Sequence, residues 1–202
     1  MRLGNAISSA TTLLRRTLAG ARGIDRAAWL HSSVDFRECR PGQIVVGPRT
    51  VVDRAVWLNV PLDSSPAGAL TIGAGCSIGR NNVISAKNRV EIHDAVVTAP
   101  QVLIMDHAHA FEDVSRPILH QGVTEGGIIV VESGCWIGFG AALVCNRGTL
   151  RVGGNSVVAA NAVVTGDVPP RTIVAGAPAR VIRAYDESTG TWRRVQSDAD
   201  AR

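Results

Sequence analysis

Mostly apolar residues recur six positions apart through two long parts of this chain. The positions stand six apart in groups of three: Ile72, Ile78 and Ile84, then Ile92, Thr98 and Ile104, and, after a long interruption, Val131, Ile137 and Leu143, then Val152, Val158 and Val164. A period of six matches neither the α-helical period nor the two-residue alternation of a hairpin sheet. It matches a coil in which one short strand and one turn take six residues, so that each coil buries its apolar face against the next. The pattern therefore predicts an all-β fold, a parallel β-helix.

The interruption between the two series is the first candidate for chemistry. Residues 105–127 lack the six-residue period, and loops of that length in compact folds are usually either functional or disordered. The segment from Ile104 to Asp113 brings together His107, His109 and three carboxylates. A regular scaffold that breaks to present titratable groups is a common layout for a site. We therefore expect the active site in this loop.

The two ends of the chain depart from the repeat. Residues 1–23 carry four arginines, no acid and apolar residues at loosely helical spacing, which predicts an amphipathic helix. Near the other end, Pro169 and Pro170 predict the end of the coil, because proline cannot continue a hydrogen-bonded ladder. A short apolar strand or helix over 175–183 should then lie back on the last coil, with loosely held residues after Tyr185. We divide the chain into an N-terminal helix and lead-in (1–42), the coil with its inserted loop 105–127 (43–168), and a C-terminal extension (169–202).

The amino-acid composition limits the kinds of molecule that the protein is expected to bind. The net charge of +4 and pI near 9.3 arise without a long Lys/Arg run interleaved with aromatic residues, so we expect no nucleic acid and favour a phosphorylated small molecule. The four cysteines show no CxxC spacing, which argues against a zinc knuckle or a disulfide framework. No apolar run reaches the roughly 20 residues that span a bilayer. We expect a cytoplasmic protein. The N-terminal helix packs on a subunit or, as the alternative, makes weak contact with the surface of the inner membrane.

Several motifs carry a resemblance to a known family. They are Ala99-Pro100 followed by His109, Pro117-Ile118, Gln121-Gly122, Cys135-Trp136-Ile137-Gly138, the run from Val163 to Pro169, and the run from Ala175 to Ile182. With these motifs the chain resembles the hexapeptide-repeat acyltransferases of the left-handed parallel β-helix type. It is similar to galactoside and maltose acetyltransferases and more similar still to enzymes that acetylate bacterial surface polysaccharides. The resemblance implies a left-handed coil and a homotrimer with sites between subunits. It also implies acetyl-CoA as co-substrate, with no metal.

The resemblance also implies a catalytic histidine. Transfer of an acetyl group to a hydroxyl needs a base for the hydroxyl proton, and histidine suits that role at neutral pH. His109 occupies the family's catalytic position and is the expected general base, its second ring nitrogen oriented by a backbone carbonyl or a carboxylate. His107 is the competitor for this role. Asp106 and Asp113 are expected to orient the histidine or to bind sugar hydroxyls.

Further residues are expected to bind the two substrates. Asn81 matches an asparagine that contacts the acceptor, although a corner of the coil would also favour Asn. Trp136 resembles the tryptophan that lines the acyl-CoA channel. Small residues let backbone approach the pantetheine arm, and arginines bind phosphates by charge-assisted hydrogen bonds. The expected CoA contacts therefore also include Gly140, Ala142, Ala160, Arg171, Arg180 and Arg183. The chain departs from the family at Gly166 and Ala177, where Lys and Asn are common, and this leaves the details of phosphate binding open.

The sequence therefore predicts an O-acetyltransferase acting on a sugar or a cell-surface polysaccharide precursor. An N-acetyltransferase acting on an amino sugar is its near neighbour. A metal-dependent, carbonic-anhydrase-like β-helix protein is a different class, and it would need a third histidine such as His93 or His120 beside His107 and His109. An assembly subunit without catalysis is the remaining alternative.

Overall fold

The computed structural model describes residues 23–36, 39–61 and 69–195. The predicted N-terminal helix lies outside these residues. Within them, 19 short strands and one 3₁₀ helix, Ile118–His120, follow one another along the chain. The described part of the chain contains no helix long and apolar enough to cross a membrane.

The strands form three sheets that wind around one axis, and each turn of the coil adds one strand to each sheet. Sheet A contains β2 (Ile44–Val46), β5 (Leu70–Ile72), β8 (Arg89–Ile92), β11 (Ile128–Val131) and β14 (Thr149–Val152). Sheet B begins with β1 (Trp29–Leu30), β3 (Val51–Val52), β6 (Ser77–Ile78), β9 (Val97–Thr98), β12 (Trp136–Ile137) and β15 (Val157–Val158). Sheet C contains β4 (Trp57–Asn59), β7 (Val83–Ser85), β10 (Leu103–Met105), β13 (Ala142–Val144) and β16 (Val163–Val164). All neighbours among these strands are parallel.

The six-residue period corresponds to the inward positions of this coil. Every repeating residue from Ile72 to Val164 is buried, with at most 3% of its surface exposed. Each stacks on its counterpart in the next coil, as Ile84, Ile104 and Leu143 do in sheet C. The prediction of a parallel β-helix is confirmed.

The corners explain the polar part of the pattern. The residue three positions after each repeating residue of sheets A and B adopts positive φ, as at Gly75 (+65°), Asn81 (+58°) and Gly140 (+67°). Left-handed backbone is least costly for Gly and Asn. Their recurrence therefore follows from the turn geometry.

The coil continues one strand past the two prolines. Val168 bridges to Val152, and β17 (Thr172–Ala175) pairs in parallel with β15. Pro169 and Pro170 lie at the corner between these two segments, where the absence of an amide hydrogen breaks no strand pairing. The chain then reverses into β18 (Arg180–Asp186), antiparallel to β17, as the predicted strand lying back on the last coil requires.

Residues after Tyr185 form an ordered hairpin rather than a loose tail. β19 (Thr191–Arg194) pairs antiparallel with β18, and the two strands complete a nine-stranded sheet B. At the other end, β1 and the bridges of Ile24 to Val46 and of Asp35 to Trp57 extend the ladders to residues before Gln43.

Candidate active site

The loop predicted to carry the site runs from residue 106 to residue 127. It leaves at the end of β10 in sheet C and returns at the start of β11 in sheet A. Its base is held by Asp106, whose side chain is completely buried. The two carboxylate oxygens accept hydrogen bonds from the backbone N–H groups of Lys87 (2.8 Å), Asn88 (2.8 Å) and Arg89 (2.7 Å). Asp106 therefore fastens the loop to the preceding coil, and these bonds use acceptor positions that a sugar hydroxyl would need.

His107 lies directly against this carboxylate. Its Nδ1 is 2.8 Å from Oδ1 of Asp106, and 10% of its side chain is exposed. Because an ionised carboxylate only accepts hydrogen bonds, Nδ1 is the donor. Asp106 thus fixes both the tautomer and the orientation of the ring. His107 is well oriented but has little access to a substrate.

His109 is the exposed member of the pair. It lies on a short antiparallel pairing within the loop, where it bridges to Val123, and its Nδ1 faces the carbonyl oxygen of Gly122 at 3.3 Å. A carbonyl only accepts, so this contact places the proton on Nδ1 and leaves the Nε2 lone pair free. His109 therefore combines a fixed tautomer with an accessible basic nitrogen.

The tip of the loop is organised by Asp113. Its carboxylate accepts hydrogen bonds from the hydroxyl (2.6 Å) and the backbone N–H (3.0 Å) of Ser115, and these bonds lower the pKa of Asp113. The amide side chain of Gln121 joins the backbone oxygens of Asp113 and Arg116. Asp113 thus shapes the turn, and nothing in its contacts ties it to either histidine.

Asn81 lies at a different corner of the coil. With φ of +58° it makes the exposed turn between sheets B and C, and its backbone N–H donates to the oxygen of Arg54. The loop, in contrast, leaves the corner between sheets C and A. The corner role of Asn81 is thus established, while the structure does not bring its side chain together with His109 within one chain.

The residues expected to bind the CoA arm lie on the same side of the coil as Asn81. Trp136 points outward from sheet B with 54% of its surface exposed. Gly140 makes the next corner, and Ala142 is half-buried on sheet C. Ala160 is exposed one coil further on. A Cβ atom on Gly140 would lie 2.4 Å from Oδ1 of Asn161, so glycine is also needed here for packing.

The three arginines are spread over the end of the coil. Arg171 makes the corner before β17, with φ of +54°, and forms an ion pair with Glu187. Arg180 and Arg183 are exposed on β18, and Nη1 of Arg180 donates to the oxygen of Ala179 at 2.8 Å. Arg183 continues the outer row of sheet B that contains Trp136.

Sequence reasoning missed the aromatic residues of the terminal hairpin. Tyr185 and Trp192 meet edge to face, with ring centroids 5.5 Å apart. The signal was present, because alternating residues on both sides of Gly190 are typical of a hairpin.

The described residues contain no group of three His, Cys, Asp or Glu side chains that could hold a metal ion. His93 lies 3.7 Å from Glu91, and His120 ends the 3₁₀ helix of the loop. Burial raises the pKa of the Cys76 and Cys135 thiols, which makes them poor nucleophiles.

Comparison with known proteins identifies relatives of this chain. The chain is 34% identical to a probable acetyltransferase of Mycobacterium tuberculosis over 116 residues, covering 57% of the chain and 37% of that protein. It is 27% identical to WbbJ of Escherichia coli, named for lipopolysaccharide biosynthesis O-acetyl transfer, covering 68% of the chain and 72% of WbbJ. It is 31% identical to the galactoside O-acetyltransferase of Escherichia coli, covering 67% of the chain and 64% of that enzyme. No protein-family model matches the chain.

Solved structures share the coil. The hexapeptide-repeat acetyltransferase VCA0836 of Vibrio cholerae superposes with a TM-score of 0.55 at 24% identity, covering 89% of this chain and 81% of that one. The N-acyltransferase AntD of Bacillus cereus, solved with dTDP and coenzyme A, gives 0.59 at 18% identity, with 82% of both chains covered. The coil is accordingly a left-handed parallel β-helix. With its six-residue repeat and its interrupting loop, the chain shares the fold of a hexapeptide-repeat acetyltransferase and is similar in sequence to O-acetyltransferases.

Proposed function

We propose that this protein transfers the acetyl group of acetyl-CoA to a hydroxyl of a sugar or of a cell-surface polysaccharide precursor. The observation that carries the proposal is His109, an exposed histidine whose Nδ1 is held by the Gly122 carbonyl. The names of WbbJ and of the galactoside O-acetyltransferase support a hydroxyl on a glycan as the acceptor.

In this reaction, Nε2 of His109 takes the proton of the acceptor hydroxyl as its oxygen attacks the thioester carbonyl. The C–S bond then breaks, the acetyl group remains on the acceptor oxygen, and the CoA thiolate recovers the proton from the imidazolium. Asp106 and His107 hold the first residues of the loop against the preceding coil. Deleting a general base of this kind lowers the rate by about 10²- to 10⁴-fold.

The acyl donor is proposed to lie on the side of the coil that carries Trp136. The pantetheine arm would lie close to the backbone at Gly140, Ala142 and Ala160. The arginines of the last strands would bind the phosphates of CoA. The AntD structure, which was solved in complex with coenzyme A, supports this choice of donor. No metal is proposed for the reaction.

The functional form is proposed to be a homotrimer with sites between subunits. His109 lies on the loop that starts at the corner between sheets C and A. Trp136, in contrast, lies on sheet B, and Asn81 lies at the corner between sheets B and C. A second copy could bring the two sides together. The loop also exposes four large apolar residues, Phe111, Val114, Ile118 and Leu119, which a neighbouring subunit would cover.

Thermal unfolding with and without saturating acetyl-CoA, after removal of metals by a chelator, tests the donor. A ligand at about 100 times its dissociation constant stabilises the native state by roughly 2.7 kcal/mol. We expect a clear upward shift in Tm. Loss of stability upon chelation without any effect of acetyl-CoA would favour the metal-dependent alternative, and no response to either would favour an assembly subunit.

Release of the CoA thiol in the presence of galactosides, maltose and amino sugars then tests the acceptor. The His109→Ala variant should lose nearly all turnover. His120→Ala, which removes another exposed histidine of the same loop, should retain it. If the enzyme acetylates an amino group in preference to every hydroxyl, the N-acetyltransferase alternative is correct. If His109→Ala is fully active while His107→Ala is inactive, the general base is His107.

A further inference from the structure

A row of exposed residues crosses the first five strands of sheet B on their outer face. The directly paired residues of this row are Trp136, Val97, Ser77, Val51 and Trp29. Neighbouring strands lie about 4.8 Å apart, so the row is about 19 Å long. Trp136 and Trp29, at its two ends, are 54% and 52% exposed, and the three residues between them are exposed as well. We call these five residues the sheet B row.

The middle of the sheet B row lacks bulky neighbours. The residues two positions before and after Ser77 and Val97 are all glycine or alanine: Gly75, Gly79, Ala95 and Ala99. Because residues two apart on a strand share a face, no long side chain from these positions stands beside the row. The strip is therefore open to a flat, elongated molecule.

Trp29, at the far end of the row from Trp136, is supported from one side. The imidazole of His31 meets its indole edge to face, with ring centroids 6.0 Å apart. Nδ1 of His31 accepts the backbone N–H of Ser33 at 3.1 Å and lies 2.8 Å from the Ser33 hydroxyl, and this hydroxyl oxygen accepts the N–H of Ala55. These bonds fix the imidazole, and the imidazole restricts the indole. An aromatic surface that is held in this way loses little entropy when a ligand stacks on it.

Hydrogen-bonding groups border the same end of the row. Arg49 and Asp53 stand two positions before and after Val51, and Arg49 is exposed. Asp53 uses Oδ1 for its contacts with the N–H and the guanidinium of Arg54, which leaves Oδ2 for a further donor. The hydroxyl of Ser77 lies within the row itself. Apolar surface with a few polar groups beside it is the usual composition of a site for a small organic ligand.

The position of the row relative to the proposed chemistry indicates which ligand it meets. The acyl donor is proposed to extend from Trp136 toward the later coils. An acceptor that meets the acetyl group near Trp136 therefore has the earlier coils of sheet B beside it. A sugar ring presents C–H groups on its faces and hydroxyls around its rim, which suits an indole bordered by hydrogen-bonding groups.

We propose that the sheet B row binds the chain of an oligosaccharide acceptor, with Trp29 stacking on a sugar several units away from the one that is acetylated. The inference rests on the proposed function and deepens it, because it makes the acceptor an oligosaccharide rather than a single sugar. His109 and Trp136 act on the sugar that reacts, whereas Trp29 selects for the length of the chain.

An anionic lipid surface would require a different pattern of charge. Such surfaces recruit clusters of four to eight basic residues. The corners beside the row carry acids together with arginines: Asp25, Arg26, Arg49, Asp53, Arg54, Arg80 and Asp94. This mixture of charges favours a ligand with many hydroxyls over a membrane.

Dependence of the rate on acceptor length tests the proposal. Release of the CoA thiol is measured at saturating acetyl-CoA with glucose, galactose and mannose and with their α- and β-linked oligosaccharides up to the hexasaccharide. Within a series that the enzyme acetylates, kcat/KM should rise with length by about tenfold in total and level off once the chain reaches Trp29. The gain should appear mainly as a lower KM for the acceptor, since the distant sugars take no part in the chemical step.

Variants of two tryptophans locate the effect. Trp29→Ala should remove the gain with length and leave kcat/KM for the shortest acceptor of the series at the wild-type value. Trp29→Phe, which keeps an aromatic ring, should retain most of the gain. Trp57→Ala is the matched control, because Trp57 is 44% exposed on the outer face of sheet C, away from the row, and this variant should behave like wild type.

Four results would overturn the proposal. Equal kcat/KM for short and long acceptors in the wild-type protein would do so without any variant. An equal loss in Trp57→Ala would show that the effect does not belong to the row. A lower mass of Trp29→Ala in light scattering would make the row a contact between subunits. Binding to phosphatidylserine vesicles that depends on Trp29, without any dependence on acceptor length, would make the row a membrane contact.

Failure of this inference is distinct from failure of the proposed function. If sugars are acetylated at rates that do not depend on length, the subsite is wrong and the acetyl transfer stands. If no sugar of any length accepts the acetyl group, the proposed function itself is wrong. Thermal unfolding of each variant shows whether the substitution has disturbed the coil.

Discussion

At the scale of single residues, Asp106 is the most constrained group beside the site. It is completely buried and accepts three backbone N–H groups from the preceding coil. The substitution Asp106→Asn replaces one acceptor oxygen with an NH2 group, which is a donor. At least one buried backbone N–H then loses its acceptor and faces this NH2 group instead. We expect a loss of roughly 3 kcal/mol in the free energy of unfolding, measured in urea. Asp113→Asn changes the same atoms in an exposed turn and should leave stability unchanged; equal losses would contradict this assignment.

Glu132 gives a residue-scale prediction with a defined pH dependence. Its carboxylate accepts the Gly154 N–H at 2.9 Å and pairs with Arg151 at 3.1 Å, and these contacts lower its pKa below 4.5. A lowered folded-state pKa adds stability above the unfolded value, and that stability is lost as pH falls through the folded value. The stability difference between wild type and Glu132→Gln should therefore be largest at neutral pH and shrink below pH 4.5, as urea unfolding at several pH values can show. A difference that grows on acidification would contradict the assignment.

At the scale of elements, the corners decide which residues the coil tolerates. Gly140 and Gly148 both have positive φ, but a Cβ on Gly140 would press on Asn161, whereas a Cβ on Gly148 would meet open space. Gly148→Ala should cost about 1 kcal/mol from backbone strain alone. Gly140→Ala should cost clearly more in the same urea titration, and Asn161→Gly should recover the excess. Equal costs at the two positions would mean that the contact with Asn161 relaxes freely.

The elements also show which parts of the fold could be read from the sequence. The inward row from Ile72 to Val164 was predictable, because each residue repeats a local environment six positions away. The hairpin was missed although Gly190 lies between its two strands, because the polar residues after Tyr185 were interpreted as a loose tail and the stabilising contact of Tyr185 with Trp192 forms only across the turn. The role of Asp106 was hidden for a related reason. Its partners lie 17 to 19 residues earlier and use backbone atoms, which carry no sequence signal.

At the scale of the whole molecule, the exposed apolar loop predicts assembly. Val114 and Leu119 are 99% and 80% exposed on a loop whose turn is already hydrogen-bonded. Light scattering should give the mass of a trimer of 21.2 kDa chains. Leu119→Glu should shift it toward monomer, because a buried interface disfavours an unpaired charge. Val45→Glu, which puts the same charge on the outer face of sheet A, is the control and should leave the trimer intact. Dissociation by both variants would mean that the loop has no special part in assembly.

A trimer with shared sites also predicts complementation between two inactive variants. His109→Ala removes the proposed base, and Trp136→Glu places a negative charge in the proposed CoA path. Each protein alone should be inactive. If the base of one subunit works with the CoA surface of its neighbour, random mixed trimers place the two intact halves together at about one quarter of their interfaces. Co-expression should then restore about one quarter of the wild-type turnover per site. If the mixture stays inactive although mixed trimers are demonstrated, each chain holds its own complete site, and the loop must then reach around its own coil from sheet C to the side of Trp136.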